Sequence, residues 1–175
     1  IYSLSMKKLL LLLFSLMLSF NSYGEWKLEV RGDDFEGTVN YYIVSDVVKP
    51  TKPLDWPYED ANAYLYYDCQ VTTMVMVLSA DNLNGAFYKG DKRYIPIDLK
   101  IDDVIKRDIK AKQDASISKF LSIDKAYGWQ MIEGNSVLIQ LNHYSDGKRI
   151  WPFKMGNIKS FINTKNKQCF AKLNE

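Results

Sequence analysis

From Ile95 to Ile101 every second residue is aliphatic, and Pro96, Asp98 and Lys100 stand between them. A period of two puts successive side chains on opposite faces of an extended strand. This stretch, from Lys92 to Lys100, therefore buries Ile95, Ile97, Leu99 and Ile101 on one face and sets Tyr94, Pro96, Asp98 and Lys100 on the other. Pro96 cannot donate to a ladder, so it marks an edge or a bulge. Trp26–Val30 alternates in the same way, with Lys27 and Glu29 between the apolar residues. Thr38–Val44 is rich in β-branched and aromatic residues, as strands are. Ala63–Cys69 and Val71–Ser79 form the next pair, with Thr72–Leu78 deeply buried.

Turn chemistry separates these runs. Asp33–Gly37 and Asp81–Gly85 are turns, and Ser145-Asp146-Gly147-Lys148 joins Val137–Leu141 to Arg149–Phe153 as a hairpin, Asp-Gly supplying the positive φ. Pro50, Pro53 and Pro57 make Lys49–Pro57 an exposed loop, because neither a central strand nor a helix accepts them. Ile101–Gln113 reads as a strand or an irregular hairpin about Asp102-Asp103, and Ser116–Ser122 as a further strand. Ile123–Glu133 is the best short helix. A C-terminal helix from about Asn157 to Lys165 puts Ile158, Phe161 and Ile162 on one face. Short strands at regular spacing predict a mainly β fold, an antiparallel β-sandwich with one or two short helices.

The first 24 residues read as a leader. Lys7-Lys8 follow Met6, Leu9–Phe20 is almost wholly apolar, and Asn21-Ser22-Tyr23-Gly24 closes the run with small residues at the −3 and −1 places of a cut after Gly24. A helix over Leu9–Phe20 would span about 18 Å at roughly 1.5 Å per residue, short of the roughly 30 Å hydrocarbon core. Cleavage rather than anchoring is expected, with residues 25–175 as a single periplasmic or secreted domain and Ile1–Ser5 upstream of the start. That domain holds 21 basic and 21 acidic residues once Lys7 and Lys8 are removed. A neutral balance argues against nucleic acid as the main partner.

Cys69 and Cys169 are the only cysteines. In an oxidising compartment an even pair predicts a disulfide. Such a bridge closes a loop of about 100 residues, for which chain-entropy models allow up to roughly 4.7 kcal/mol. The alternative is two buried thiols. Redox chemistry has no CxxC to act through, and one His with two Cys is thin for zinc.

The order of elements carries a resemblance. A strand led by Trp26 and a strand ending in Cys69 come first. A late hairpin, a short helix and a closing Cys169 come last, with Phe153, Ile158 and Phe161 among them. This layout resembles small exported β-sandwich proteins of the invasion-associated locus B and type VI secretion-associated kinds. The resemblance implies a two-Cys sandwich with a binding or accessory role in the envelope, and it implies no catalytic residues.

Candidate sites are few. His143, the only histidine, lies near the hairpin tip, where it reads as a surface turn residue. No GxSxG or nucleophilic Cys context accompanies it. Asp33, Asp34 and Glu36 could attract calcium, but their spacing is not that of an EF-hand loop. Asp102-Asp103 is a weaker pair that glycoside hydrolysis could use only at a set separation. The aromatics stand out, with 12 Tyr, 4 Trp and 8 Phe. Trp56, Tyr58, Tyr64 and Tyr66 crowd the proline-rich loop and the strand after it. Tyr66 and Tyr67 point to opposite faces, so at most one lies in the core. Tyr and Trp suit recognition surfaces, although tyrosine is also an ordinary strand residue.

These readings point to a non-enzymatic envelope protein that binds a protein partner, as a secretion accessory or an inhibitor. No cofactor, metal, nucleic acid or stable membrane anchor is expected. The rivals are a small hydrolase using carboxylates and a carbohydrate-binding module using the aromatics.

Overall fold

The computed structural model describes residues 25–33, 37–114, 116–156, 158, 159 and 162. They fold as a mainly antiparallel sheet with one short helix. The strands are β1 (Lys27–Asp33), β2 (Thr38–Val44), β3 (Ala63–Asp68), β4 (Thr73–Leu78), β5 (Phe87–Lys89), β6 (Lys92–Ile101), β7 (Val104–Gln113), β8 (Phe120–Ile123), β9 (Ser136–His143) and β10 (Gly147–Lys154). The helix α1 is Lys125–Glu133. The strands form one continuous sheet in the order β1-β2-β3-β4-β8-β7-β6-β9-β10, with β5 paired to β6 beside that path.

The period-two pattern sets the core. Ile95, Ile97, Leu99 and Ile101 of β6 all point inward, and one apolar cluster gathers the inward residues of every strand from β2 to β10 except β5. A single sheet can surround one core only by curling, and the contacts at its two ends show that it does. Trp26, just ahead of β1, donates from its indole Nε1 to Lys154 O at the end of β10 (3.2 Å). Thr51 N donates to Ile150 O (2.8 Å). The outward backbone groups of the β10 edge are thereby occupied at Ile150 and Lys154. Pro152, of the same parity, brings no N–H to that edge. These features blunt an edge strand that would otherwise recruit another chain.

Pro96 obeys the same logic. It pairs with Lys110 of β7, one residue before a register shift between Ile97 and Leu99. The β9 ladder on the other side of β6 begins only at Asp98. Its missing N–H therefore falls next to a bulge, where the strand has no second ladder. Ile101–Gln113, ambiguous by pattern, is a turn followed by the long strand β7.

Helix α1 starts at Asp124, whose side chain accepts from Ala126 N (2.9 Å) as an N-cap does. It packs on β4 so closely that a Cβ on Gly128 would lie 3.2 Å from Met74 Cβ. Of the expected C-terminal helix, Ile158, Lys159 and Ile162 are helical, and Ile158 and Ile162 are buried. The rest lies outside the described residues, as does the leader, residues 1–24.

Of the expected Cys69–Cys169 bridge, Cys169 lies outside the described residues. Only Cys69 is described: it is buried just beyond β3 and disulfide-bonded.

Candidate functional site

The connection from β2 to β3, residues 45–62, is proline-rich yet held at both sides. Val48 bridges to Ala63, and Pro50 and Leu54 are buried. Tyr58 N donates to Asp55 O and Ala61 N to Tyr58 O, each at 2.9 Å. The loop is clamped by the β9–β10 hairpin. Asp146 Oδ1 accepts from Asp55 N (2.7 Å), and Arg149 donates from Nε to Pro53 O (3.2 Å). Arg149 also donates from Nη1 to Asp146 O and pairs through Nη2 with Asp146 Oδ1 (3.5 Å), both side chains being buried. The outcome is a loop that sinks Leu54 and lifts Trp56, which is 83% exposed, with Tyr58 at 37%.

At the hairpin tip Gly147 takes the positive φ expected of the Asp-Gly turn, and Ser145 rather than Asp146 takes a second. Asp146 is thus free to turn its carboxylate under the loop.

His143 is corrected too. It is 1% exposed, not a surface residue. Trp151 Nε1 donates to its Nε2 (3.3 Å). An indole N–H can only donate, so His143 carries its proton on Nδ1 and donates it to Asn82 Oδ1 (2.8 Å). Burial pushes its pKa down to about 4, Asp146 opposing and Arg149 adding to the effect. A neutral imidazole with both nitrogens engaged is a packing element at neutral pH.

Tyr64 and Tyr66 lie elsewhere, on the outer face of β3, while Tyr67 faces the core. Tyr66 meets Tyr42 edge to face, with centroids 5.4 Å apart, and Phe120 at 6.4 Å. Arg31 sits over Tyr42 at 5.1 Å. Burial, and then the charge of Asp68, push the Tyr66 phenol up to about 12. Among the described residues no ring contact joins Tyr64 or Tyr66 to Trp56 or Tyr58. The four aromatics of the sequence cluster therefore form two separate features.

The acidic candidates have other occupations. Asp102 accepts from Ser136 N (2.9 Å), Asn135 N (3.1 Å) and Ser136 Oγ (3.2 Å). These bonds, the Ser136 N–H foremost, hold its pKa below the ordinary value. It anchors the turn after β6 to the start of β9. Asp34 and Glu36 lie outside the described residues. Among the described residues no group of three or more His, Cys, Asp or Glu side chains could hold a metal ion.

Sequence reasoning passed over Arg149, Asp146 and Asn82. Strand parity marked Arg149, because it shares its face with Trp151 and Phe153. A cation at a core position requires partners, and the partners are the loop.

No family model matches the chain, and neither a curated protein nor a solved structure matches it.

Proposed function

We propose that the chain is an exported envelope protein that binds a protein partner through the loop Lys49–Tyr58 and catalyses no reaction. The observation that carries this reading is an 83% exposed Trp56 on a loop that is already ordered. An exposed indole costs the free protein, and aromatic anchors dominate binding energy at interfaces. Ordering the loop beforehand through Leu54 and the Asp146–Arg149 clamp removes part of the entropy cost of association. The leader-like residues 1–24 support export, with cleavage near Gly24 and a periplasmic or secreted location.

The fuller architecture belongs to the same proposal. The curled sheet works as a two-layered sandwich whose C-terminal helix begins near Ile158. The accessory role suggested by the resemblance to invasion-associated locus B and type VI secretion-associated proteins goes with it.

The test is capture of partners from periplasmic extract by the wild-type chain and by Trp56→Ala. The proposal expects a protein retained by the first and lost with the second. Equal retention by both would contradict it. Turnover of an envelope substrate abolished by a carboxylate variant would establish the hydrolase instead.

A further inference from the structure

Arg93 and Gln113 stand opposite each other on the β6–β7 ladder, with the core-facing parity of Ile95 and Ala111. Gln113 is 2% exposed. Its Nε2 donates to Ser118 O, and a carbonyl can only accept, so the amide has one orientation and Oε1 points away from Ser118. Neither Gln113 Oε1 nor the buried Nε of Arg93 has a hydrogen-bond partner among the described residues. Folded proteins rarely leave such groups unpaired. Here a fixed acceptor and a fixed donor are unpaired side by side.

Both residues line a pocket with Asp91, Lys92, Lys112, Asp114 and Ser122. Its volume of about 250 Å³ far exceeds the roughly 30 Å³ share of one water. It falls below the roughly 300–1,000 Å³ of sites for drug-sized ligands. Among the lining residues, Lys92, Arg93 and Lys112 outnumber Asp91 and Asp114. Asp114 is committed to its own turn, accepting from Ser116 Oγ (2.6 Å), Ser116 N (2.8 Å) and Ile117 N (3.3 Å). The excess of positive charge favours an anion. The acceptor at Gln113 demands a donor on the same molecule, and the surrounding cations require that donor to be neutral, a hydroxyl rather than an ammonium.

We propose that this pocket binds a small carboxylate with a neighbouring hydroxyl, a hydroxy acid or an acidic sugar. The carboxylate sits against the Arg93 guanidinium, and the hydroxyl donates to Gln113 Oε1. A planar carboxylate matches a guanidinium fork, and Gln113 confers selectivity because a ligand without the hydroxyl leaves it unpaired. The site is independent of the loop reading.

Calorimetric titration of the full chain tests it with D-glucuronate, lactate, glucose, propionate and inorganic phosphate. The expected result is that glucuronate or lactate binds about tenfold or more tightly than glucose, which lacks the charge, and propionate, which lacks the hydroxyl. Tighter glucuronate assigns the acidic sugar, and tighter lactate the hydroxy acid. Gln113→Leu should bring the preferred acid down to the affinity of propionate, and Arg93→Lys should weaken both by about tenfold. Absence of saturable binding of either acid in the millimolar range overturns the proposal. So does phosphate binding as tightly as the preferred acid, which marks a bare anion patch. The ligand comparison in the wild-type chain decides the matter even where a variant fails to fold.

Discussion

Two polar sites share one end of the sheet, the end where β6 and β10 begin and β7 and β9 finish. At one, β9 and β10 bring in His143 and Arg149. At the other, β6 and β7 bring in Arg93 and Gln113. All four replace apolar residues at core-facing positions. The first pair is itself occupied, His143 by Asn82 and Trp151 and Arg149 by Asp146 and Pro53, although Asn82 Nδ2 has no partner among the described residues. The second pair keeps an open donor and an open acceptor. Side chains partnered within the fold fix neighbouring structure, whereas an open donor opposite an open acceptor in a pocket is ready for something from outside. The difference separates a site that holds a loop from a site that receives a ligand.

The sharpest way to break the comparison is to substitute both arginines. Arg149→Met leaves the buried Asp146 carboxylate without its cation and frees the Pro53 carbonyl, so it should cost about 3–5 kcal/mol of stability in denaturant melts. Arg93→Met removes a group whose Nε has no partner to lose, and should change stability by less than about 1 kcal/mol. Similar losses would show that the two ends do not differ as described.

Leu54→Ala tests whether the loop is held from below. Emptying the pocket that Leu54 fills should cost about 2–5 kcal/mol. A loop resting only on its polar clamp would lose far less.

Acid should act through His143 before it acts through the carboxylates. The folded chain keeps His143 neutral down to about 4, while the unfolded chain takes up the proton near 6.5. As pH falls between those values the unfolded state binds more protons, and stability drops by at most about 1.4 kcal/mol per pH unit. Asp102, whose pKa is lowered chiefly by the Ser136 N–H, loses its contribution only below its ordinary range. Melts from pH 7 to 4.5 should therefore slope downward in the wild type and flatten in His143→Gln. A wild-type profile that is flat over that range would contradict the buried neutral imidazole.

The smallest effect on stability is expected at Trp56. Trp56→Ala should move it by no more than about 0.5 kcal/mol while weakening partner capture. A loss of roughly 3–5 kcal/mol would instead be that of a buried aromatic.

Most of the sheet was legible because its signal is local. Parity in β6 placed Ile95–Ile101, and the Asp146-Gly147 turn announced β9 and β10. The three prolines identified the loop. Order across the sheet was not legible: that β8 lies between β4 and β7, and that Trp26 reaches Lys154, depends on contacts between residues far apart in sequence. The short strand β5 was hidden in a three-residue run. His143 was misread because proximity to a turn says nothing about side-chain direction, whereas its parity with Ile139 and Leu141 pointed inward. For the candidate sites, composition singled out Trp56. The clamp beneath it, and the Arg93–Gln113 pair, required attention to charged or amide residues at apolar parity.

The central claim is that the loop is ordered before any partner arrives, and amide hydrogen exchange tests it most directly. Thr51, Asp55, Tyr58 and Ala61 each donate a backbone hydrogen bond to Ile150, Asp146, Asp55 and Tyr58 respectively. The isolated wild-type chain should protect all four amides, and Asp146→Ala should release Asp55 first. Exchange of all four at the rate of an unstructured peptide in the wild type would contradict the account.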